Sequence, residues 1–324
     1  MAETARFCRA REGLCHRAEP VPQVGIVLST AAHYRASPEL FRPWHGEFKA
    51  LNGALRCLLD NQLVVEVVME HSLDGRWDEY SALVVPEWDW LPEGFRSELV
   101  AYAERGGALV AVGPRCARLF AKELGVEFRG EPETRARWLD HGGRLAALMT
   151  ESQTVALGPR AEEFGRLFAE NDYAGTPEPA ASVARIGKGL IAGVYVNMGE
   201  RYVNAATAGA RDFLGGLVRS VAPRQAVDVT GSHAVDVTLA RKDGRLLVNL
   251  VNTAGPHAEG NVYTHDDIPP LGPLEVRVRL PEGRARPGRV RLEPKGLDLD
   301  FTCDEGALRC TVPRLEIHEV VVVE

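Results

Sequence analysis

The chain has 324 residues, a length that allows about two domains. Apolar residues make up 45% and charged residues 26% of the sequence, as in ordinary globular proteins. There are 38 lysines and arginines against 45 aspartates and glutamates, a net charge of −7, which argues against nucleic-acid binding through a basic surface. No apolar run reaches the roughly 18 residues of a membrane span, and residues 1–20 lack the apolar segment of a secretory signal. We therefore expect a cytoplasmic protein with neither a nucleic-acid nor a membrane partner.

The N-terminal part alternates apolar runs with segments of helical periodicity. The runs predict strands over residues 24–28, 64–69, 82–85 and 108–112, and the periodic segments predict helices over about 48–59, 92–105 and 115–124. Such alternation indicates parallel βαβ units, whose strands are covered on both faces. Ligands of these sheets bind at the carboxyl ends of the strands.

The later part of the chain has a different texture. Residues 131–172 are rich in charge and contain one short strand candidate, at 154–157. Gly187-Lys188-Gly189 predicts a hairpin turn between two apolar runs, and a helix is expected over 204–221. From about residue 225, short strands replace helices, with a hairpin turn at Asp243-Gly244, and this pattern indicates a β-sandwich. The strands are expected at 235–239, 246–251, 274–280, 290–292, 307–312 and 317–323.

Polar and aromatic side chains follow the predicted strands at the edge where ligands bind. The candidate ligand-binding residues are His33, Tyr34, Glu87, Trp88, Asp89, Trp90 and Arg201. Carboxylates beside aromatic rings are typical of sugar sites, because rings stack on sugars and paired carboxylates transfer protons. A structural role is the alternative: the tryptophans can seal a loop or an interface, and Glu87 and Asp89 can cap the helix that begins near Pro92.

A thiol nucleophile is a further hypothesis at the end of the fourth strand. Glutamine amidotransferases carry a cysteine on a Gly-x-Cys-x-Gly turn, whereas this chain has Gly113-Pro114-Arg115-Cys116-Ala117, with no second glycine. Pro114 also removes a backbone N–H that an oxyanion hole could use. We therefore expect Cys116 to pack inside the following helix.

The sequence gives little support to metal or cofactor sites. His257, His265, Asp266 and Asp267 lie on one long loop with a spacing too loose for a typical metal site. No glycine pattern of a phosphate-binding loop occurs. We predict no metal and no cofactor.

Five stretches of the sequence carry a resemblance to a known family. They are VPQVGIVLSTAAHY from Val21, DEYSALVVPEWDWLPEGFRSELVAYAERGGALVAVGP from Asp78, GKGLIAGVYVNMGERY from Gly187, DGRLLVNLVNTAGPH from Asp243 and VPRLEIHEVVVVE from Val312. These stretches resemble the amidotransferase-like trimerisation domain and the C-terminal β-sandwich of β-galactosidases and of bacterial α-L-fucosidase-like glycoside hydrolases. The resemblance extends over nearly the whole chain.

The resemblance implies an α/β fold in two domains. A flavodoxin-like, class I glutamine amidotransferase-like parallel-sheet domain is expected over residues 21–223 and an antiparallel β-sandwich over 224–324, after a linker-like segment at 1–20. In that family a (β/α) barrel comes first and holds both catalytic carboxylates. This chain has no counterpart of the barrel, so no catalytic residue is carried over.

Three functional hypotheses follow. The leading one is a non-catalytic assembly or accessory module, because the amidotransferase-like domain of the related β-galactosidases lacks a nucleophile and helps subunits to associate. Its partners would be a second copy of the chain or a glycosidase barrel, and it could border a sugar site. The alternatives are an independent glycoside hydrolase with Glu87 as acid or base, helped by His33 or Asp89, and a carbohydrate-binding module.

Overall fold

The computed structural model describes residues 2–37, 48–223, 225–255, 257–259, 262–265, 267–281, 283 and 286–324. Its helices are α1 (Ala2–Cys15), α2 (Thr30–Ala36), α3 (Lys49–Leu59), α4 (Glu93–Arg105), α5 (Pro114–Arg118), α6 (Ala121–Leu124), α7 (Met198–Asn204) and α8 (Ala208–Val221). Its strands are β1 (Glu19–Pro20), β2 (Val24–Leu28), β3 (Val65–Met69), β4 (Ala82–Pro86), β5 (Ala108–Val112), β6 (Val126–Asp140), β7 (Leu145–Leu157), β8 (Ala161–Phe168), β9 (Glu178–Ile186), β10 (Gly189–Val194), β11 (Val227–Thr230), β12 (Val235–Lys242), β13 (Arg245–Asn252), β14 (His257–Glu259), β15 (Val262–His265), β16 (Leu274–Arg279), β17 (Val290–Glu293), β18 (Leu297–Asp298), β19 (Phe301–Asp304), β20 (Ala307–Val312) and β21 (His318–Val323).

The chain divides into two compact units. The first, called here the α/β unit, consists of Val24–Asn61 and Val65–Arg224. The second, called here the β unit, consists of Met1–Gln23, Gln62–Val64 and Gln225–Glu324. Among the described residues, none of the helices combines the length and the apolar character needed to span a bilayer.

A nine-stranded mixed sheet forms the α/β unit, in the order β3-β2-β4-β5-β10-β9-β8-β6-β7. The first five strands in this order are parallel to one another. Strands β4 and β5 are buried along their whole length, as expected for strands that are covered on both faces. Helix α4 packs Phe95, Leu99 and Tyr102 into the same core.

The parallel arrangement expected for this domain holds for these five strands, and the remaining four form an antiparallel extension. Strands β6 and β7 cover most of the segment where the sequence predicted one short strand. Most positions of β6 from Glu127 to Ala136 are exposed, so these residues can be charged, and the segment lacks the apolar run that marks a buried strand. The predicted hairpin at Gly187-Lys188 is confirmed, because β9 pairs with β10 in antiparallel register.

The far edge of β7 is partly closed by the segment that follows β10. The amide of Gln153 donates to the carbonyl of Tyr195 (3.1 Å), and the amide of Asn197 donates to the carbonyl of Glu151 (3.0 Å). Ser152 and Val196 form an antiparallel bridge between these bonds. The extension therefore curls back onto the end of the parallel strands.

Apart from the two-stranded sheet of β14 and β15, two antiparallel sheets form the β unit. One has six strands in the order β1-β12-β13-β21-β17-β18, and the other has four in the order β11-β16-β20-β19. They share one apolar core, to which Val248 and Val321 contribute from the first sheet and Val276 and Leu308 from the second. The predicted turn at Asp243-Gly244 is confirmed: both residues have positive φ (50° and 76°), as a type I′ turn between β12 and β13 requires.

Residues 2–20, which belong to the range expected as a linker-like segment, contain a helix and a strand of the β unit. Helix α1 occupies Ala2–Cys15, and β1 pairs with β12. Helix α1 has no fully buried residue, so its sequence carries no continuous apolar face by which it could have been predicted. The helix expected at 115–124 is divided into α5 and α6. In the range 204–221, α7 ends at Asn204 and α8 begins at Ala208.

Substitution of Gly53 by alanine should strongly destabilise the α/β unit. A Cβ atom at Gly53 would overlap the carbonyl oxygen of Gly199, because α3 and α7 pack backbone against backbone at this point. We expect a loss of about 3 kcal/mol or more in the free energy of unfolding, measured by urea denaturation. Gly94→Ala is the matched control, since Gly94 lies in α4 with open space around it, and it should be neutral or stabilising by about 0.5–1 kcal/mol. Equal stabilities of the two variants would contradict the close helix contact.

Candidate functional site

A polar cavity of about 310 Å³ lies at the carboxyl ends of the parallel strands, and we call it the strand-end cavity. It receives side chains from the ends of β4 and β5, from β6 and β7 and from the start of α7. The lining residues are Glu87, Asp89, Gly113, Pro114, Arg115, Cys116, Thr134, Glu151, Asn197 and Glu200.

Glu87 directly follows β4 and occupies an uncommon backbone conformation. Its φ is +53°, and its amide donates to the carbonyl of Val112 (2.8 Å) at the end of β5. Gly113, the next residue in that neighbouring chain segment, has φ +94°, and a Cβ atom there would lie 2.6 Å from Cγ of Glu87. The two strand ends therefore approach so closely that only glycine fits at position 113.

The carboxyl group of Glu87 binds the N-terminal turn of α7. Its Oε1 accepts hydrogen bonds from the amides of Gly199 (2.6 Å) and Glu200 (3.2 Å). Burial raises the pKa of Glu87 to about 8; the two amide bonds act in the opposite direction, and the negative charges of Glu200 and Glu151 add to the increase. At neutral pH the group is therefore largely protonated while it remains tied to the helix.

Hydrogen bonds connect the other polar groups of the strand-end cavity. Arg115 Nη2 lies 3.3 Å from Glu151 Oε2. Asn197 Oδ1 accepts from Thr150 Oγ1 (2.6 Å) and from the amide of Glu151 (2.8 Å), and its Nδ2 donates to Glu200 Oε2 (3.2 Å). Four carboxyl groups face one guanidinium group in this lining, so the cavity disfavours anionic ligands.

Of the seven predicted ligand-binding residues, only Glu87 and Asp89 line this cavity. The indole N–H of Trp88 donates to the carbonyl of Val27 (2.9 Å), and its ring packs against the core of the unit. The guanidinium of Arg35 lies 4.5 Å from the ring centre of Trp90. Both indoles are thus engaged within the protein, as the structural alternative in the sequence analysis expected of tryptophans in this loop.

The remaining three candidates lie away from the lining. The ring of His33 stacks on Phe48 with centroids 4.7 Å apart, and Tyr34 beside it is 65% exposed. Arg201 in α7 donates from Nη1 to the carbonyl of Ala205 (3.3 Å). The structure therefore does not gather the predicted residues into one cluster.

The predicted capping role of the acids after β4 needs correction. Helix α4 has no side-chain cap; Glu87 instead caps α7, an element far away in sequence. Glu70, at the end of β3, does the same for α2, where it accepts from the amide (3.1 Å) and the hydroxyl (2.8 Å) of Thr30. A strand-end carboxyl that binds a helix N-terminus is favourable because it satisfies free amides, and in its charged form it also opposes the helix dipole.

Cys116 is packed inside its helix, as predicted. It has no exposed surface, its Sγ donates to the carbonyl of Val85 (3.4 Å), and burial raises the pKa of the thiol. A buried thiol of this kind is not an activated nucleophile.

No cluster of three or more potential metal ligands occurs among the residues whose side chains the structure describes. The histidines at 257 and 265 and the aspartate at 266, which the sequence analysis considered, lie outside those residues. Thr134 and Glu151 are cavity residues that the sequence analysis missed. No signal could have found them, since the strands that carry them were not predicted.

The chain has the fold found in parts of several glycosidases. It superimposes on an α-L-fucosidase isoenzyme from Paenibacillus thiaminolyticus with a TM-score of 0.79 and 20% identity, over 98% of this chain and 51% of that protein. A GH42 β-galactosidase from G. stearothermophilus, solved as a catalytic mutant, gives a TM-score of 0.65 and 16% identity over 99% and 42% of the two chains. A β-galactosidase from Bacillus circulans sp. alkalophilus gives 0.62 and 13% over 100% and 44%.

The chain thus spans about half the length of the solved proteins that it resembles. At these identities the likeness establishes a shared fold. No family model and no curated protein matches the sequence.

Replacing Glu87 by glutamine should change the pH dependence of stability. With a pKa raised to about 8, native Glu87 holds a proton that the unfolded chain releases near pH 4.5. Wild-type stability should therefore fall, relative to Glu87→Gln, by up to about 1.4 kcal/mol per pH unit as the pH rises from 4.5 to 8. The measurement is urea denaturation across this range. Asp89→Asn, an exposed acid of the same loop, serves as control and should follow the wild type; parallel profiles for wild type and Glu87→Gln would refute the buried proton.

Proposed function

We propose that this chain is a non-catalytic assembly or accessory module of a glycoside hydrolase, which associates with a second copy of itself or with a glycosidase barrel. The observation that carries the proposal is the coverage: 98% or more of the chain matches about half of proteins that are themselves a fucosidase and β-galactosidases. The catalytic residues would then lie in the other half of such an enzyme.

Strand order supports the finer assignment of the α/β unit. Numbered along the chain, the five parallel strands stand in the order 2-1-3-4-5, which is that of flavodoxin-like folds. The burial of Cys116 agrees with an amidotransferase-like domain that has no nucleophile. The shared core of the two antiparallel sheets supports a β-sandwich in the second unit, to which we now add residues 2–20.

The alternative of an independent glycosidase receives less support from the site. Glu87 is its proposed acid or base, yet the carboxyl group is already used to hold the start of α7. His33, its proposed helper, is stacked on Phe48 away from the cavity lining. Hydrolysis by two carboxyl groups requires both to face the same bond at a defined spacing, and contacts with Arg115 and Asn197 restrain Glu151 and Glu200.

Activity and association measurements on the purified chain distinguish these functions. We expect no hydrolysis of p-nitrophenyl β-D-galactoside or α-L-fucoside, because no pair of free carboxyl groups is set for it. We also expect light scattering to report a mass above that of one chain at high concentration, or a stable complex when a glycosidase barrel is added. Turnover that Glu87→Gln abolishes would overturn the proposal in favour of an enzyme, and a strict monomer that binds no barrel would remove its assembly role.

The strand-end cavity favours a second candidate function, binding of a small carbohydrate without turnover. Its volume suits one sugar ring, and its carboxyl and amide oxygens can accept hydrogen bonds from hydroxyl groups. A sugar at a hundredfold excess over its dissociation constant should stabilise the native chain by about 2.7 kcal/mol, detectable as a thermal shift. Glu200→Gln should weaken the shift while Glu98→Gln, on the exposed side of α4, should not; a panel of monosaccharides without any shift would exclude this candidate.

A further inference from the structure

Helix α1 covers a small apolar patch on the outer face of the six-stranded sheet. The patch consists of Ala240, Leu247, Val320 and Val322, which are all buried, and Leu14 at the end of the helix packs against it. Helix α1 itself has no fully buried residue. Apolar burial beneath the helix is therefore limited, so polar contacts become important for its attachment.

Arg11 joins α1 to His318 of β21 through two polar contacts. Its Nε donates to Nδ1 of His318 (2.9 Å), and its Nη2 donates to the carbonyl oxygen of the same residue (2.8 Å). Within the helix, Nη1 donates to the carbonyl of Phe7 (3.0 Å), and the guanidinium lies 3.5 Å from the centre of the Phe7 ring. These contacts fix the arginine side chain and direct it at one residue of β21.

This geometry requires a neutral imidazole at His318. A guanidinium group can only donate, so Nδ1 of His318 must carry a free electron pair to accept the bond from Arg11. On the other side of the ring, Nε2 lies 3.3 Å from Oδ1 of Asn249, an acceptor that favours a proton on Nε2. A second proton, on Nδ1, would place its N–H group against the N–H group of Arg11 and would bring two positive charges together.

We propose that Arg11 and His318 form a pH-sensitive latch, which holds α1 on the sheet while His318 is neutral and releases the helix when His318 is protonated. Release would expose the apolar patch beneath the helix. The latch belongs to the β unit and does not depend on the function proposed above.

Among the charged groups around the latch, Arg11 acts against protonation of His318. The groove beside it, of about 600 Å³, is lined by Phe7, Cys8, Arg9, Arg11, Glu12, Cys15, His16 and His318. From the sheet side, Lys242 donates to the carbonyl of His16 (2.6 Å), and the nearby carboxylate of Glu319 is paired with Lys295 (2.8 Å). Cys15 contacts Asn249 Oδ1 through its thiol (3.5 Å).

The sign of the pH effect follows from the environment of His318. Burial, and then the charge of Arg11, lower the pKa of His318 from its ordinary value of 6.5. When the helix is detached, His318 binds protons more readily than when the helix is docked. Docking is therefore at full strength above about pH 6.5 and weakens as the pH falls towards the lowered pKa.

Hydrogen–deuterium exchange of the full chain tests the latch. After correction for the intrinsic pH dependence of exchange, amide protection in α1 should fall below pH 6.5 by up to about tenfold per pH unit. Protection in β13 and β21 should stay constant over the same range, which separates helix release from acid unfolding. Protection of α1 that does not change between pH 7.5 and pH 4.5 would overturn the proposal.

Three variants assign the response to its residues. In His318→Asn an amide oxygen can stand in place of Nδ1 and does not titrate, so α1 should stay protected at all pH values. Arg11→Met should lower protection at pH 7.5 and reduce the pH response, because the bond and the charge that oppose protonation of His318 are lost while its burial is partly kept. His16→Asn, a histidine of the same groove, is the matched control and should respond like the wild type. If His318→Asn loosens the helix at every pH, the Arg11→Met variant provides the test. A pH response in Arg11→Met equal to that of the wild type would contradict the latch.

Discussion

The attachment of Glu87 to the first turn of α7 is the contact on which the arrangement of the α/β unit depends. Through its main chain the residue joins the ends of β4 and β5, and through its side chain it joins both to a helix more than a hundred residues later. A Cβ atom at Gly113 would lie 2.6 Å from Cγ of this side chain, and one at Gly199 would overlap the carbonyl oxygen of Ala50, so neither position has space for a larger residue. Glu87 thus joins the two strand ends to a helix that lies far from them in the sequence.

The same attachment defines what the strand-end cavity can do. A desolvated carboxyl group whose oxygen accepts two amide hydrogens holds its neighbours in place. This structural role comes before any role in ligand binding. Because Glu70 holds α2 in the same way, the pattern is a repeated solution to the problem of unsatisfied helix amides at the top of a parallel sheet. Polar side chains with greater solvent exposure, such as those of Glu200 and Arg115, lie at the rim of the strand-end cavity.

Sequence patterns predicted the parallel half of the sheet and six of the strands described in the β unit (β12, β13, β16, β17, β20 and β21), because most of these strands are buried and therefore apolar. Strands β2, β5 and β20 begin and end at the predicted residues. Apart from β9 in the predicted hairpin and the end of β7, the antiparallel extension was missed. Strand β6 is exposed along most of its length, so its side chains carry no period that distinguishes a strand. Helix α1 was missed for a related reason, since partial contact with the sheet through Phe7, Arg11 and Leu14 leaves no apolar stripe.

Residues of the strand-end cavity were predicted or missed for the same reason as the strands that carry them. Glu87 and Asp89 could be predicted because they follow a buried strand at the edge where such folds bind ligands. Their neighbours Thr134 and Glu151 could not, since they belong to the missed extension. The engagement of Trp88 with the carbonyl of Val27 depends on which strand lies beside the loop, and composition alone carries no information on that.

The closure of β7 by residues 195–197 has a consequence for association with other chains. An antiparallel ribbon with strands of 13 and 15 residues would otherwise offer a long free edge, which is a template for unwanted strand pairing. The bonds from Gln153 and Asn197 occupy that edge next to the strand-end cavity. Since Asn197 also orders the cavity lining, a change that loosened the site would at the same time open a surface for aggregation.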